Sequence, residues 1–389
     1  MSTELIPELR FEGFNGSWKH THIGDVSTIG NGRDYKHLKP GPIPVYGTGG
    51  YMCSVNSALS FERDAIGIGR KGTIDHPYIL KAPFWTVDTL FFAIPKTNLG
   101  INFLQCCFDL VNWKELDEST GLPSLSKRAI ASAGITLPAP FAEQRAIGAF
   151  FAKLDELIAQ HRVKRETLQR TKTALLQKMF PRKGADAPEL RFPGFDGPWH
   201  TVKLEDICDL VIGRTPSRDN PSLWGGTLPW VSISDMRHGS TVTETTEHIT
   251  PSGAVGGRLI PTGTILLSFK LTLGRLSFAG VDLYTNEAIA ALPIKNQSKL
   301  DSTYLLHHLS SFDFYAGRNR ATKGVTLNQQ SLQDIPIYFP KALAEQRAIG
   351  TFFAKLDELI SAEQTYVDKL QQTKVALLQK MFPRPGGAR

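Results

Sequence analysis

The chain has 389 residues, 41% apolar and 21% charged, which suits a folded protein with two or three cores and excludes a disordered or fibrous polymer. No apolar run reaches the roughly 18–20 residues that a bilayer span requires, and the opening MSTELIPELR lacks the basic and apolar regions of a secretion signal, so a cytoplasmic location is expected. The formal charge of +7 invites a polyanionic partner, and four cysteines (Cys53, Cys106, Cys107, Cys208) without CxxC spacing predict reduced, buried thiols rather than a metal site.

Residues 1–140 read as a first domain. PELRFEGFNGSW (7–18) opens it, and β-rich runs such as AIGIG (65–69) and PFWTVDTLFFAIP (83–95) alternate with Gly/Pro turns, as in a mixed α/β domain. Over residues 1–141 thirteen Lys/Arg balance thirteen Asp/Glu, so any affinity for phosphate must come from local clusters. Two clusters qualify: GRKGT (69–73), with Arg70, Lys71 and Thr73, and STGLPSLSKR (119–128), with Lys127 and Arg128. Glycine lets backbone approach a duplex, while Arg and Lys reach phosphate or the O6/N7 edge of guanine.

Residues 141–183 read as one long helix, because from Phe141 to Phe180 there is no Pro and one Gly. Apolar residues at Ile147, Phe151, Leu154, Ile158, Leu168, Leu175 and Met179 follow heptad spacing, broken by His161, Arg165 and Lys172. About forty residues at 1.5 Å each make a helix of roughly 60 Å.

Residues 184–342 read as a second domain of the same class, opened by PELRFPGFDGPW (188–199), which matches 7–18 at nine of twelve positions. SFKLT (268–272), with Lys270, corresponds to GRKGT, and ATKGVTLNQQ (321–330) corresponds to STGLPSLSKR. Arg318, Arg320 and Lys323 form the densest positive cluster of either domain, and Asn328 suits adenine.

Residues 343–389 write the helix again. AEQRAIGAFFAKLDELI (142–158) returns at 344–360 with one change, Ala149 to Thr351, and ALLQKMFPR closes both copies. All the excess positive charge lies on these helices, with ten Lys/Arg against four Asp/Glu in 142–183 and seven against five in 344–389. The middles, AQHRVKRET (159–167) and SAEQTYVDK (361–369), share no position. The expected fold is α+β: two mixed α/β domains separated by two long antiparallel helices, paired as a coiled-coil rod with a pseudo-twofold axis. Glu143, Gln144, Arg145, Lys153 and Glu156 recur as Glu345, Gln346, Arg347, Lys355 and Glu358. Their repetition predicts two identical outward surfaces, each docking one copy of the same partner.

No catalytic constellation is present. There is no GxxxxGK[ST] loop, DNPS (219–222) lacks the second proline and aromatic ring of an amino-methyltransferase tetrad, and His307 and His308 sit in an apolar helical stretch. FEGFNG and FPGFDG lack the preceding buried strand of a nucleotide loop and read as packing turns. A scaffold binding two proteins without DNA would keep the helices and lose the basic loops, and an enzyme acting alone would need motifs that are missing.

The two EQRAIG…FFAKLDELI helices and the ALLQKMFPR ends, together with PWVSISDM (229–236), FWTVDTLFFA (84–93), TNEAIAAL (285–292) and TKGVTLNQQSLQDIPI (322–337), resemble the specificity subunits of type I restriction–modification systems. The resemblance covers essentially the whole chain. It implies that each domain is a target recognition domain reading half of a bipartite double-stranded DNA site, and that the helices space the domains and bind two modification subunits. It also implies a non-catalytic chain without a cofactor of its own. S-adenosylmethionine is expected on the methyltransferase partners, and ATP and magnesium on a restriction subunit where one is present.

Overall fold

The computed structural model describes residues 4–96, 98–182, 184–236, 240–315 and 327–383. The chain divides into two units, Met1–Arg162 with Thr365–Arg389, and Val163–Gln364. Each long helix is therefore shared, and both divisions fall inside the stretches where the two copies differ.

The first unit is built on a four-stranded antiparallel sheet in the order Ser27–Asn31, Leu90–Pro95, Ala65–Gly69, Tyr78–Leu80. AIGIG shows no apolar/polar alternation because all five of its residues are buried. Helix Ile101–Leu110 buries Phe103, Leu104, Cys106, Cys107 and Phe108 in one core with Ile66, Ile68 and Phe91. Cys106, Cys107 and Cys208 are buried and Cys53 half-buried, all four as free thiols. A smaller sheet joins Gly50–Val55, Pro40–Gly47 and Trp85–Thr86, the last pair parallel. Strand Lys19–His22 lies antiparallel to Gly134–Leu137 and ties the ends of the globular part together where helix Phe141–Met179 starts.

The second unit repeats this plan with different detail. Its larger sheet has the order Val211–Ile212, Ile289–Leu292, Ile265–Ser268, Leu276–Ala279, Ser240–Val242, with the last pair parallel. The smaller one joins Glu247–Ile249, Trp224–Val231 and Tyr284–Thr285, and His200–Lys203 against Pro336–Phe339 closes the ends. Helix Ser302–Ser311 buries Tyr304, Leu305, Leu306, His307, His308 and Leu309, so both histidines are core residues.

Burial holds the His308 ring neutral, its pKa pushed down to about 3, and its Nε2 accepts the Tyr338 N–H at 3.1 Å. The unfolded ring takes up its proton near pH 6.5. Stability from this group is therefore full above about pH 6.5 and is lost as pH falls from there towards 3. His308→Gln keeps an acceptor but does not titrate, so denaturant unfolding between about pH 4 and 7 is expected to show a flatter pH dependence than the wild type. Parallel curves would place the acid sensitivity elsewhere.

The expected helix from Phe141 to Phe180 is found as Phe141–Met179, and its copy as Leu343–Met381, 39 residues each. Inside the first unit they run antiparallel, with His161 against Tyr366 at 4.4 Å between ring centres and Lys374 on Asp155 at 2.7 Å. Inside the second unit Lys164 meets Glu363 at 2.6 Å and Lys172 meets Asp357 at 2.7 Å, again antiparallel. Lys172, which breaks the apolar heptad, is thus 3% exposed and neutralised; its counterpart Lys374 reaches both Asp109 and Asp155. An unpaired buried charge is costly, so these pairs penalise any slip of one helix along the other. Among the described residues no helix is long and apolar enough to cross a membrane.

Candidate nucleic-acid interface

At one end of the strands of the first unit's larger sheet, Ser27–Asn31 and Ala65–Gly69 stop and Leu90–Pro95 begins. Gly69 must lack a side chain there, because a Cβ would lie 1.9 Å from the carbonyl oxygen of Thr73, which folds back over it. The loop is fixed by hydrogen bonds from the Leu125 N–H to Arg70 O at 2.9 Å and from the Gly72 N–H to Pro123 O at 2.8 Å. The two basic clusters of this unit therefore form one site.

Asn31, Arg70, Lys71, Glu118, Ser124 and Lys127 line its cleft. Arg70, Lys71 and Lys127 are exposed, and none forms an ion pair among the described residues. The Arg70 guanidinium lies 5.9 Å from the centre of the Phe91 ring. Asp117 fixes the loop that carries Ser124. It accepts the Ser124 and Ser119 N–H groups at 2.9 and 3.0 Å, and these bonds hold its carboxyl below the ordinary range. Ser126 caps helix Lys127–Ser132 through the Ala129 N–H at 3.0 Å. Thr73 and Arg128 are exposed beside the cleft without lining it.

Sequence reasoning missed Asn31, which lines this cleft, and Arg33, exposed two residues further on. The signal was there. Gly32-Arg33 recurs as Gly213-Arg214 at the 181-residue offset of the PELRF echo, with the Arg33 N–H on Thr86 O at 2.8 Å and the Arg214 N–H on Thr285 O at 2.7 Å.

In the second unit Lys270 occupies the place of Lys71, since the Leu327 N–H bonds Phe269 O at 2.9 Å as Leu125 bonds Arg70. Lys270 is half-buried, its Nζ 5.3 Å from the centre of the Phe269 ring. Asn328, expected to suit adenine, caps a helix. Its Oδ1 accepts the Ser331 N–H at 2.7 Å at the start of helix Gln329–Gln333. Arg318, Arg320 and Lys323 lie outside the described residues. Other arginines here are held internally: Arg218 pairs with both Glu247 oxygens while stacked 3.8 Å from Trp224, and Arg275 donates to Ile233 O and Met236 O.

Four of the expected docking residues face inwards. The buried Glu143 carboxylate receives Arg10 Nε and Nη2 at 2.7 Å each, and Arg10 also donates to Asn15 O and Gly16 O. Arg191 grips Glu345, Asp196 O and Gly197 O in the same way. Gln144 donates to Pro138 O; Gln346 donates to Lys299 O and Pro340 O and accepts the Asp301 N–H. The expectation that Glu143, Gln144, Glu345 and Gln346 face a partner fails because all four are buried and bonded inside their own units. FEGFNG and FPGFDG are the packing turns that receive the arginine. The outward stripe that remains is Ala142, Arg145, Ala149, Lys153 and Glu156, and in the copy Ala344, Arg347, Thr351, Lys355 and Glu358, spaced three or four apart and all exposed.

Residues 15–170 and 197–372 match the family model for the type I restriction modification DNA specificity domain. Over 191 residues the chain is 25% identical to the MjaIX type I restriction enzyme specificity subunit of Methanocaldococcus jannaschii, covering 47% of this chain and 44% of that one. Over 146 residues it is 26% identical to the HindI specificity subunit of Haemophilus influenzae, covering 36% and 32%. The chain thus spans less than half the length of these curated relatives. In fold it is similar to the crystal structure of a type I restriction–modification S subunit from M. genitalium, with a TM-score of 0.63 at 14% identity over 97% of this chain and 99% of that one. A structure from work on complex assembly and conformational transition of the type I system gives 0.54 at 17% identity, over 95% and 98%.

Proposed function

We infer that this chain, which belongs to the type I restriction–modification DNA specificity family, reads a bipartite, asymmetric double-stranded DNA site, one half with each globular domain. The observation that carries this reading lies in the first unit, where Arg70, Lys71 and Lys127 converge on one cleft with Glu118 as its acidic lining residue, and none of the three forms an ion pair among the described residues. Such residues supply the phosphate contacts that place a protein on a duplex. The stripes around Arg145, Lys153 and Glu156 and around Arg347, Lys355 and Glu358 are alike and exposed, which supports docking of two copies of one methyltransferase subunit. In this reading the long helices form a rod that spaces the half-sites. S-adenosylmethionine belongs to the modification subunits, and ATP with magnesium to a restriction subunit where the system has one.

Changing Arg70, Lys71 and Lys127 together to Ala tests the reading. Each lost phosphate contact removes about 0.9 from the slope of log affinity against log salt, so the triple variant is expected to flatten that slope by about 2.7 while still assembling with its partner. An unchanged slope would mean that the cleft does not meet the duplex.

A further inference from the structure

Leu271 stands at the tip between strands Ile265–Ser268 and Leu276–Ala279, 68% exposed and with φ of +65°. The Thr272 N–H bonds the Lys270 carbonyl at 2.8 Å, so Leu271 is the centre of a three-residue turn of left-handed φ, a rare and strained arrangement for a residue with a Cβ. The flanks hold it there. The Gly274 N–H reaches Ser268 O and the Arg275 N–H reaches Ser268 Oγ, both at 2.9 Å; Ser268 Oγ donates to Thr272 O, and the Leu273 N–H bonds Tyr315 Oη at 3.1 Å.

The first unit has a left-handed residue at the corresponding position. Counting from the paired carbonyls of Arg70 and Phe269, Lys270 matches Lys71 and Leu271 matches Gly72, whose φ is +84°. Glycine fills the left-handed position without strain; leucine fills it with strain and leaves most of its side chain in solvent. Strain that a fold enforces without using it in its own packing points to a functional position.

We propose that Leu271 is a specificity-determining residue, its isobutyl group meeting the C5-methyl of a thymine in the half-site read by the second domain while Lys270 contacts the neighbouring phosphate. The inference rests on the DNA-reading function proposed above. The thymine methyl is the apolar group that base edges present in the major groove, and a side chain without donors or acceptors can read little else there. A partner protein could also cover a leucine. The adjoining Lys270, in the place of a cleft residue of the first unit, favours a polyanion.

The experiment uses the full chain assembled with its modification subunits, and the methylated site mapped for it. Each thymine of the second half-site is replaced in turn by deoxyuridine, which lacks the methyl. One replacement is expected to weaken wild-type binding about fourfold, the scale of one buried methyl group. Leu271→Gly should bind the intact site about fourfold more weakly, lose the response to that replacement, and keep wild-type affinity for random DNA. Its melting temperature should hold or rise, because glycine suits the turn. No response at any thymine, a half-site without thymine, a variant that keeps the full response, or a variant that binds DNA normally but assembles poorly would each overturn the inference. A wild-type complex that does not prefer its site to random DNA would instead overturn the proposed function.

Discussion

Arg10→Ala is expected to destabilise the first unit by about 3–5 kcal/mol, and Arg191→Ala the second by a similar amount. The magnitude follows from burial. Glu143 and Glu345 have side chains 0% and 1% exposed, and each takes both of its strong hydrogen bonds from one guanidinium. Removing the arginine leaves an ionised carboxylate without water or partner, and also frees the two turn carbonyls that the same side chain holds. Denaturant unfolding reads the loss directly. Adding Glu143→Leu to Arg10→Ala removes the stranded charge and should restore much of it. A cost below about 1 kcal/mol for Arg10→Ala would match a solvent-exposed ion pair and contradict the buried geometry.

The clasp also explains the repeats. PELRF recurs after 181 residues and AEQR after 202, two offsets that look unrelated along the chain. In each unit they meet: Arg10 on Glu143, and Arg191 on Glu345. The neighbouring Leu9 and Leu190 N–H groups bond Lys380 O and Lys178 O at 2.9 Å, at the ends of the long helices. Phe180 and Phe382, from the repeated ALLQKMFPR, pack on Trp199 and Trp18. Much of the repetition therefore preserves the junction between a globular domain and two helix ends, and a smaller part of it is exposed.

The long helices were legible because about forty residues without proline and with sustained apolar spacing admit few other structures. Lys172 was legible as a break in the stripe, but its partner Asp357 lies 185 residues away and no spacing reveals it. Glu143 was misread for the same reason: a glutamate in a first helical turn looks solvated until Arg10, 133 residues upstream, is seen to bury it. Asn328 was ambiguous in another way, since the same amide that suits adenine also suits a helix cap, and only geometry reveals the cap. The cleft was half legible. Its residue types were found, but the hydrogen bonds joining residues 70 and 125 belong to the fold.

The proposed modularity is tested most directly by exchanging residues 184–342 for the corresponding domain of another specificity subunit. A donor domain that keeps the arginine of PELRF and the tryptophan at its end will find Glu345 and Phe180 in place, because those groups stay with the helices. The new complex is expected to assemble, and mapping of methylated adenines in a host genome should show one half of the recognised sequence replaced. The half read by residues 1–140, and the distance between halves, should be unchanged. A folded, active complex whose recognised sequence changes in both halves, or in neither, would contradict the account.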